Sequence, residues 1–423
     1  MDLKSDVIES QANAKGSLVI QNIKFNIYTT FFYGILTALF FSAFIYLEHY
    51  GIEIKLLNTI LGLLAFILLL YIPKRSVLIA GFFIGLLWFY WIGYSFKYQN
   101  VAYMTPIVTV GFGFIYLIFF SPLYFTSSPI IRAGLLFALS FIDPFNWNWM
   151  QLPLPFINSY IGVYKWQFGI VLLSLALPSI LKKYKFLPLL GILLTTYPIY
   201  PKQQLAPLKI KLVQTSIRQN EKWQPEFLKP TLKMIFQQID EATKEKYDVV
   251  LFPESVFPIY LNKEKKLIKE LQKRSKNIVV VAGALLLENH KHYNVTYKFE
   301  NEKFQIAKKV VLVPFGEYIP LPDFARDFIN ETFFSGASDF IKADKPTDFL
   351  IKGVKFRNAI CYEATTKDLY KGDVKYILAS SNNAWFSPSI EPTLQKLLMQ
   401  YYGRKNGVVI YHSTNDAGTG VVY

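Results

Sequence analysis

Three residues of this chain stand where chemistry is commonly done. Glu254 closes the apolar run V-V-L-F-P-E-S, Lys309 precedes V-V-L-V-P-F-G-E, and Cys361 closes R-N-A-I-C-Y-E. Each lies at the end of a run that reads as a buried strand, and open α/β sheets place their sites at strand ends. Together the three side chains can do nucleophilic chemistry. A thiol needs a base to become a thiolate, and a cation to favour that thiolate and hold the oxyanion it creates. Taken singly, each has a plainer reading. A lone cysteine is most often a small buried hydrophobe, a glutamate after a strand a solvated cap, and a lysine beside another lysine a surface residue. Lys308 competes with Lys309, and an extended strand points the two to opposite faces, so only one can serve. The four histidines (His49, His290, His292, His412) lack metal-ligand spacing, and the His290/His292 pair reads as a solvated loop.

The elements that must position these residues occupy 202–423. Lys209–Gln214 alternates like a strand, while Leu232, Ile235, Phe236 and Ile239 follow helical spacing. Asp248–Phe252 and Asn277–Ala282 are short apolar runs. Phe304–Val313, Lys355–Tyr362, Lys375–Ser380 and Val408–His412 read as further strands, and Gln395–Tyr402 as a helix. Strands alternating with helices imply a layered α/β domain, and strands apolar throughout are buried on both faces.

The first half is different. The chain has 423 residues, 52% of them hydrophobic and only 18% charged, and the charges are sparse between Ile27 and Tyr200. Seven apolar segments approach membrane-span length: Ile27–Leu47, Leu56–Ile72, Val77–Phe96, Val101–Phe125, Ile130–Ile142, Phe168–Leu181 and Phe186–Tyr200, the last two interrupted by Pro178, Pro188 and Pro198. With the amino terminus inside, the inner segments hold nine basic residues (Lys4, Lys15, Lys24, Lys74, Arg75, Arg132, Lys182, Lys183, Lys185). The outer loops hold three (Lys55, Lys97, Lys165). That asymmetry obeys the positive-inside rule and puts everything after Tyr200 on the outer side. The expected division is a cytoplasmic segment 1–25, a transmembrane helical domain 26–201 and a periplasmic domain 202–423. The first 25 residues are polar and do not read as a cleaved signal peptide. The net charge of +15 fits basic residues flanking membrane helices better than nucleic-acid binding. Arg132 and Asp143, near segment ends, are expected to snorkel. The loop holding Phe145, Trp147, Trp149, Pro153, Pro155 and Phe156 suits either anchoring at the membrane interface or lining a lipid's way in.

The strings P-E-S, K-x-x-L-V-P-F-G-E-Y-I-P, I-C-Y-E and S-N-N-A-W-F resemble the nitrilase, or carbon-nitrogen hydrolase, superfamily. Within it the chain most resembles the apolipoprotein N-acyltransferase family, which joins a helical membrane domain to a nitrilase-like αββα sandwich. The resemblance implies that Glu254 is the general base, Lys309 the oxyanion-stabilising lysine and Cys361 the nucleophile. The string ending at Glu317 selects Lys309 over Lys308. It also implies that Glu317, Tyr362 and Glu363 support the site. Trp223, Asn382, Trp385, Phe386, Ser413 and Asn415 would lie near substrate, with Ala384 and Thr414 in the same loops. The chain departs from the family pattern at Asn383, Ser387 and Asp416-Ala417. It stops at Tyr423, where longer members continue through further strands and a final membrane helix.

The activity implied is a two-step acyl transfer from a phospholipid, through a cysteine thioester, to the α-amine of a diacylated apolipoprotein. It uses no metal or organic cofactor, and a monomer in the inner membrane is expected. Glu331–Phe340 is a candidate lid. Two rivals remain open from the residues alone: a membrane-tethered amidase that hydrolyses small C–N bonds with the same triad, and a non-catalytic transporter or assembly factor.

Overall fold

Crossing the hydrocarbon layer of a bilayer takes about 20 apolar residues of helix, and among the described residues three helices are long and apolar enough: Asn26–His49, Lys74–Tyr98 and Met104–Phe125. The computed structural model describes residues 3–98, 101–196, 200–313, 317 and 340–423, with side chains from Asn26 onward. Its first half contains α1 (Leu3–His49), α2 (Lys55–Tyr71), α3 (Lys74–Phe89), α4 (Met104–Phe120), α5 (Pro129–Leu139) and α6 (Lys165–Ala176). The second, fifth and sixth expected segments thus form shorter helices. The seventh forms the 3-10 segment Leu187–Thr195 in place of an α-helix, and Pro178 falls just past the end of α6.

Close approach of small residues joins α3 to α4. A Cβ on Gly85 would lie 2.4 Å from the carbonyl oxygen of Phe112, and one on Gly81 2.7 Å from that of Tyr116. Such contacts are how helices associate where lipid removes the hydrophobic drive between them. Outward-facing Phe31, Phe32, Ile107, Phe114, Ile118 and Phe125 remain exposed, an apolar belt that hydrocarbon would cover.

Arg132 does not snorkel. It is 1% exposed. Its Nη1 donates to the carbonyl oxygens of Leu69, Leu70 and Ile72 at 3.3, 3.2 and 2.7 Å, and its Nε to those of Leu123 and Thr126. The last carbonyls of α2 have no helical partners, and the guanidinium satisfies them while opposing the negative end of the helix dipole. Asp143 accepts a hydrogen bond from Gln151.

The second half is two sheets between helices. One sheet runs β1 (Ile210–Leu212), β2 (Val249–Leu251), β4 (Val279–Glu288), β5 (Lys291–Glu300), β6 (Lys303–Lys308), with β3 (Phe257–Tyr260) also paired to β4. The other runs β11 (Gly420–Val422), β10 (Val409–Asn415), β9 (Tyr376–Asn382), β8 (Val354–Ile360), β7 (Asp348–Ile351). The central pairings β1–β2, β2–β4, β8–β9 and β9–β10 are parallel.

Side-chain alternation divides the core. Val250, Val280 and Ala282 face α7 (Pro225–Lys244) and α8 (Lys265–Arg274) with Ile235, Ile239 and Leu271. Val249, Leu251, Val279 and Val281 face the other sheet, meeting Leu378, Val409 and Tyr411. Ile377, Ala379 and Ile410 face away again, onto α9 (Glu391–Asn406). The order is αββα, and both faces of each sheet are covered, as the apolar strands require.

Three strands went unseen in the sequence: β3, β5 and β7. The tight turns β4–β5, β5–β6 and β7–β8 each carry two residues of positive φ (Asn289-His290, Asn301-Glu302, Lys352-Gly353), the geometry that two-residue hairpins favour. His290 therefore sits in a hairpin turn and His292 in a strand, with Nδ1 2.6 Å from the Tyr260 hydroxyl.

The two halves share one apolar core, in which α9 lies between sheet and bundle. Glu48 of α1 pairs with Lys396 of α9 at 2.8 Å, and His49 lies 3.0 Å from Thr393. Overpacking the α3–α4 contact should cost about 1–3 kcal/mol. Gly85→Leu is therefore expected to lower the melting temperature of the detergent-solubilised protein. Gly111→Ala, where a Cβ meets nothing within 4 Å, should not.

Candidate active site

The C-terminal ends of β2, β6, β8, β9 and β10 converge on one edge of the sandwich, and they deliver Glu254, Lys309, Cys361, Asn382 and Asn415. β8 ends at Cys361 because the chain turns there: Cys361 has φ 55° and opens the 3-10 turn Cys361–Thr365. A non-glycine residue held in the left-handed region costs on the order of 1–3 kcal/mol. β6 likewise ends at Lys308 and not at Val313. Beyond it the N–H groups of Val310 and Val311 turn to the Glu363 carboxylate in place of a strand partner. The other Glu363 oxygen accepts from the N–H of Ile360, at 2.7 Å. One buried carboxylate thus ties the lysine segment to the cysteine turn.

Lys309 is 1% exposed. Its Nζ donates to Glu317 Oε1 at 2.8 Å and lies 3.8 Å from Glu254 Oε1. Lys308 points away, paired with Glu288 at the surface. Glu254 is fixed by two donors, Asn294 Nδ2 at 2.7 Å on Oε1 and the Asn382 N–H at 3.0 Å on Oε2. Glu317 in turn accepts from the N–H of Val313 at 2.9 Å.

Electrostatics follow from this packing. Burial pushes the Cys361 thiol well above its ordinary pKa, the Glu254 charge pushes the same way, and Lys309 opposes both. Burial works against the Lys309 ammonium, but Glu317 and Glu254 outweigh it and hold its pKa above the ordinary value. The resting cluster is therefore a buried thiol with Glu254 and the Lys309 ammonium around it. Among the described residues no group of His, Cys, Asp or Glu could hold a metal ion.

Tyr362 faces the membrane half. Its ring stacks on Trp147 at 5.3 Å and on Trp149 at 6.2 Å, and Trp149 Nε1 donates to Thr365 Oγ1 at 2.8 Å. Of the six aromatic and proline residues singled out in that loop, only Phe145 is exposed. The loop is a buried seat for the cysteine turn, and not a membrane-interface anchor.

Asn382 lies 2.8 Å from the side-chain amides of both Gln219 and Asn415. Trp385 meets Tyr98 edge to face, and Phe386 meets Trp91 in the same way, so both contact the bundle. Ser413 is turned back to the carbonyl of Val213. Trp223 is 44% exposed, while its neighbour Lys222 is buried. The departures Asn383, Ser387 and Asp416-Ala417 touch one another: Asn383 Nδ2 donates to the Ala417 carbonyl, and Ser387 Oγ to Asp416. The candidate lid Glu331–Phe340 lies outside the described residues apart from Phe340.

A family model described as the apolipoprotein N-acyltransferase integral membrane domain matches residues 28–198, and one described as carbon-nitrogen hydrolase matches residues 209–418. The apolipoprotein N-acyltransferase of Wolinella succinogenes is 41% identical over 91% of this chain and 94% of its own length. This chain belongs to the apolipoprotein N-acyltransferase family. The Helicobacter hepaticus and Helicobacter pylori relatives of the same name are 37% and 35% identical, over 89% and 85% of this chain and 96% and 86% of their own. The family membership accounts for both halves, the apolar bundle and the α/β sandwich.

Sequence reasoning missed several residues in this family member's site. Gly283 interrupts the apolar β4, a sign of close backbone approach. A Cβ there would lie 2.4 Å from Ser255 N and 2.7 Å from Glu254 Cα. Asn294 and Lys222 carried no signal, since neither residue type is usually buried.

Gly283→Ala is expected to displace Glu254 and cut acyl-transfer rates at least about tenfold, with a smaller loss of melting temperature. Glu363 supplies a pH test. Burial raises it from 4.5 to about 7, so the folded chain holds its proton where the unfolded chain has lost it. Its contribution to stability is present below about pH 4.5 and is lost as pH rises through about 7. The melting temperature of Glu363→Gln relative to the unsubstituted protein should therefore improve between pH 5 and pH 8.

Proposed function

We propose that this chain transfers a fatty acyl group from a phospholipid to the α-amine of the diacylglyceryl-cysteine of bacterial apolipoproteins, the last step of lipoprotein maturation. Glu254 takes the Cys361 proton. The thiolate attacks the ester carbonyl, and Lys309 holds the oxyanion. The ester C–O bond breaks, the lysophospholipid leaves with the proton from Glu254, and a thioester remains. The lipoprotein amine then attacks that thioester, the C–S bond breaks, an amide forms and the thiol regains its proton. Such a reaction is ping-pong.

The observation that carries this reading is the seat of the nucleophile. A hydrolase of small soluble amides has no use for a membrane half, whereas here the turn bearing Cys361 is packed on it through Tyr362, Trp147 and Trp149. Names of relatives covered over most of their length support the same activity.

In this proposal residues 1–25 are cytoplasmic, 26–201 span the inner membrane about seven times, and 202–423 face the periplasm, the chain acting as a monomer. Contacts support the alternation of spans. The outer end of α1 meets α9, while Tyr71 at the end of α2 bonds the Leu175 carbonyl near the end of α6. Lys74, Arg75, Lys182, Lys183 and Lys185 follow those latter ends in the chain.

Incubation with phospholipid followed by mass spectrometry should show an acyl mass on Cys361 that a diacylated lipopeptide discharges. Cys361→Ser should carry none, and Lys309→Met should form it about 100- to 1,000-fold more slowly. A folded protein that takes up no acyl group, or one discharged equally well by water alone, overturns the reading.

A further inference from the structure

Lys222 is a feature of the site that the chemistry above leaves unused. It lies between β1 and α7 and is 2% exposed, and its Nζ donates to the main-chain oxygen of Glu254 at 3.0 Å. A terminal atom of the Asn382 amide lies 3.2 Å from Lys222 Nζ and equally far from Trp385 Nε1. The chain is strained just past Glu254, where Ser255 has φ 48°. A hydrogen bond to the Glu254 carbonyl holds that turn in place.

An uncharged donor could make the same hydrogen bond, whereas burying an ammonium beside a neutral carbonyl is expensive. Charge must therefore be doing something else. The charged groups facing Cys361 are Glu254 after β2, Lys309 after β6 and Glu317, two carboxylates against one lysine; Glu391 from α9 faces it too, but burial pushes its pKa well above the ordinary carboxylate range and favours its neutral form. Lys222 interacts with both Glu254 and Cys361, which oppose the effect of its burial; burial dominates and brings the ammonium to about 8.

We propose that Lys222 is a positioning residue and the second cation of the site: it fixes the main chain of Glu254, and its charge offsets the surrounding carboxylates and so eases loss of the Cys361 proton. This rests on the reading of Cys361 as the nucleophile.

Cys361 is the sole cysteine, so alkylation of the full-length protein by iodoacetamide reports on this thiol alone. Acylation of the unsubstituted protein by phospholipid is scored first, and its absence defeats the nucleophile reading itself. Given acylation, the rate of alkylation is measured against pH for the unsubstituted protein, Lys222→Met and Lys222→Gln, alongside melting temperatures. Removing a cation near a thiol raises its pKa. Both variants should therefore slow alkylation at pH 7.5, where Lys222 is still charged, about tenfold. Lys222→Gln keeps a donor, so its slowing reads the charge and not the hydrogen bond. It also serves alone where Lys222→Met does not fold. A Lys222→Gln profile that superposes on the unsubstituted one, whatever the melting temperature, overturns the proposal.

Discussion

Three backbone N–H groups meeting one buried carboxylate hold the site in register. Glu363 accepts from Ile360 at the end of the cysteine strand and from Val310 and Val311 just past the lysine. The two strands belong to different sheets, β8 to one and β6 to the other. No ladder of backbone hydrogen bonds could set their ends relative to each other, so a side chain does it. Everything that depends on the spacing of Lys309 and Cys361 depends on this clamp. Burial lifts its pKa to about 7, which shows that the carboxylate is held there against the solvation it has lost.

Around the clamp, each candidate catalytic group is fixed by its neighbours. Asn294 and the Asn382 N–H aim Glu254, Glu317 aims Lys309, and the Trp147/Trp149 pair seats the turn of Cys361. Such preorganisation lets a weakly acidic thiol react without rearrangement when substrate arrives. The strained φ values at Cys361 and Ser255 are tolerated because packing overdetermines both turns.

Most of the α/β architecture could be read from apolar runs and their alternation; places at run ends marked Glu254, Lys309 and Cys361 only weakly, and the family resemblance gave them their expected roles. What escaped had physical reasons. Strand β5 carries mixed polar residues and β7 is only four residues long, and hairpin turns rather than periodicity define them. The early end of β6 depends on a carboxylate more than 50 residues away in the chain. Arg132 near a segment end suggested snorkelling because a sequence cannot show the carbonyls of α2 waiting for it. Lys222 and Asn294 looked like surface residues because composition says nothing about which polar groups a site keeps. The aromatic loop left two uses open, and burial against Tyr362 gave a third.

The continuous core beneath Tyr362 has a geometric consequence. A domain joined to a bundle by a flexible tether samples many heights above a bilayer. Here the height of the thiol is set by stacked rings and by the Glu48–Lys396 pair. Ester groups in a lipid bilayer also lie at a nearly constant level. In the proposed reaction, a nucleophile locked at one level meets an ester held at a matching level by lateral diffusion in two dimensions, with no search along the membrane normal. The bundle is thus a ruler as much as an anchor.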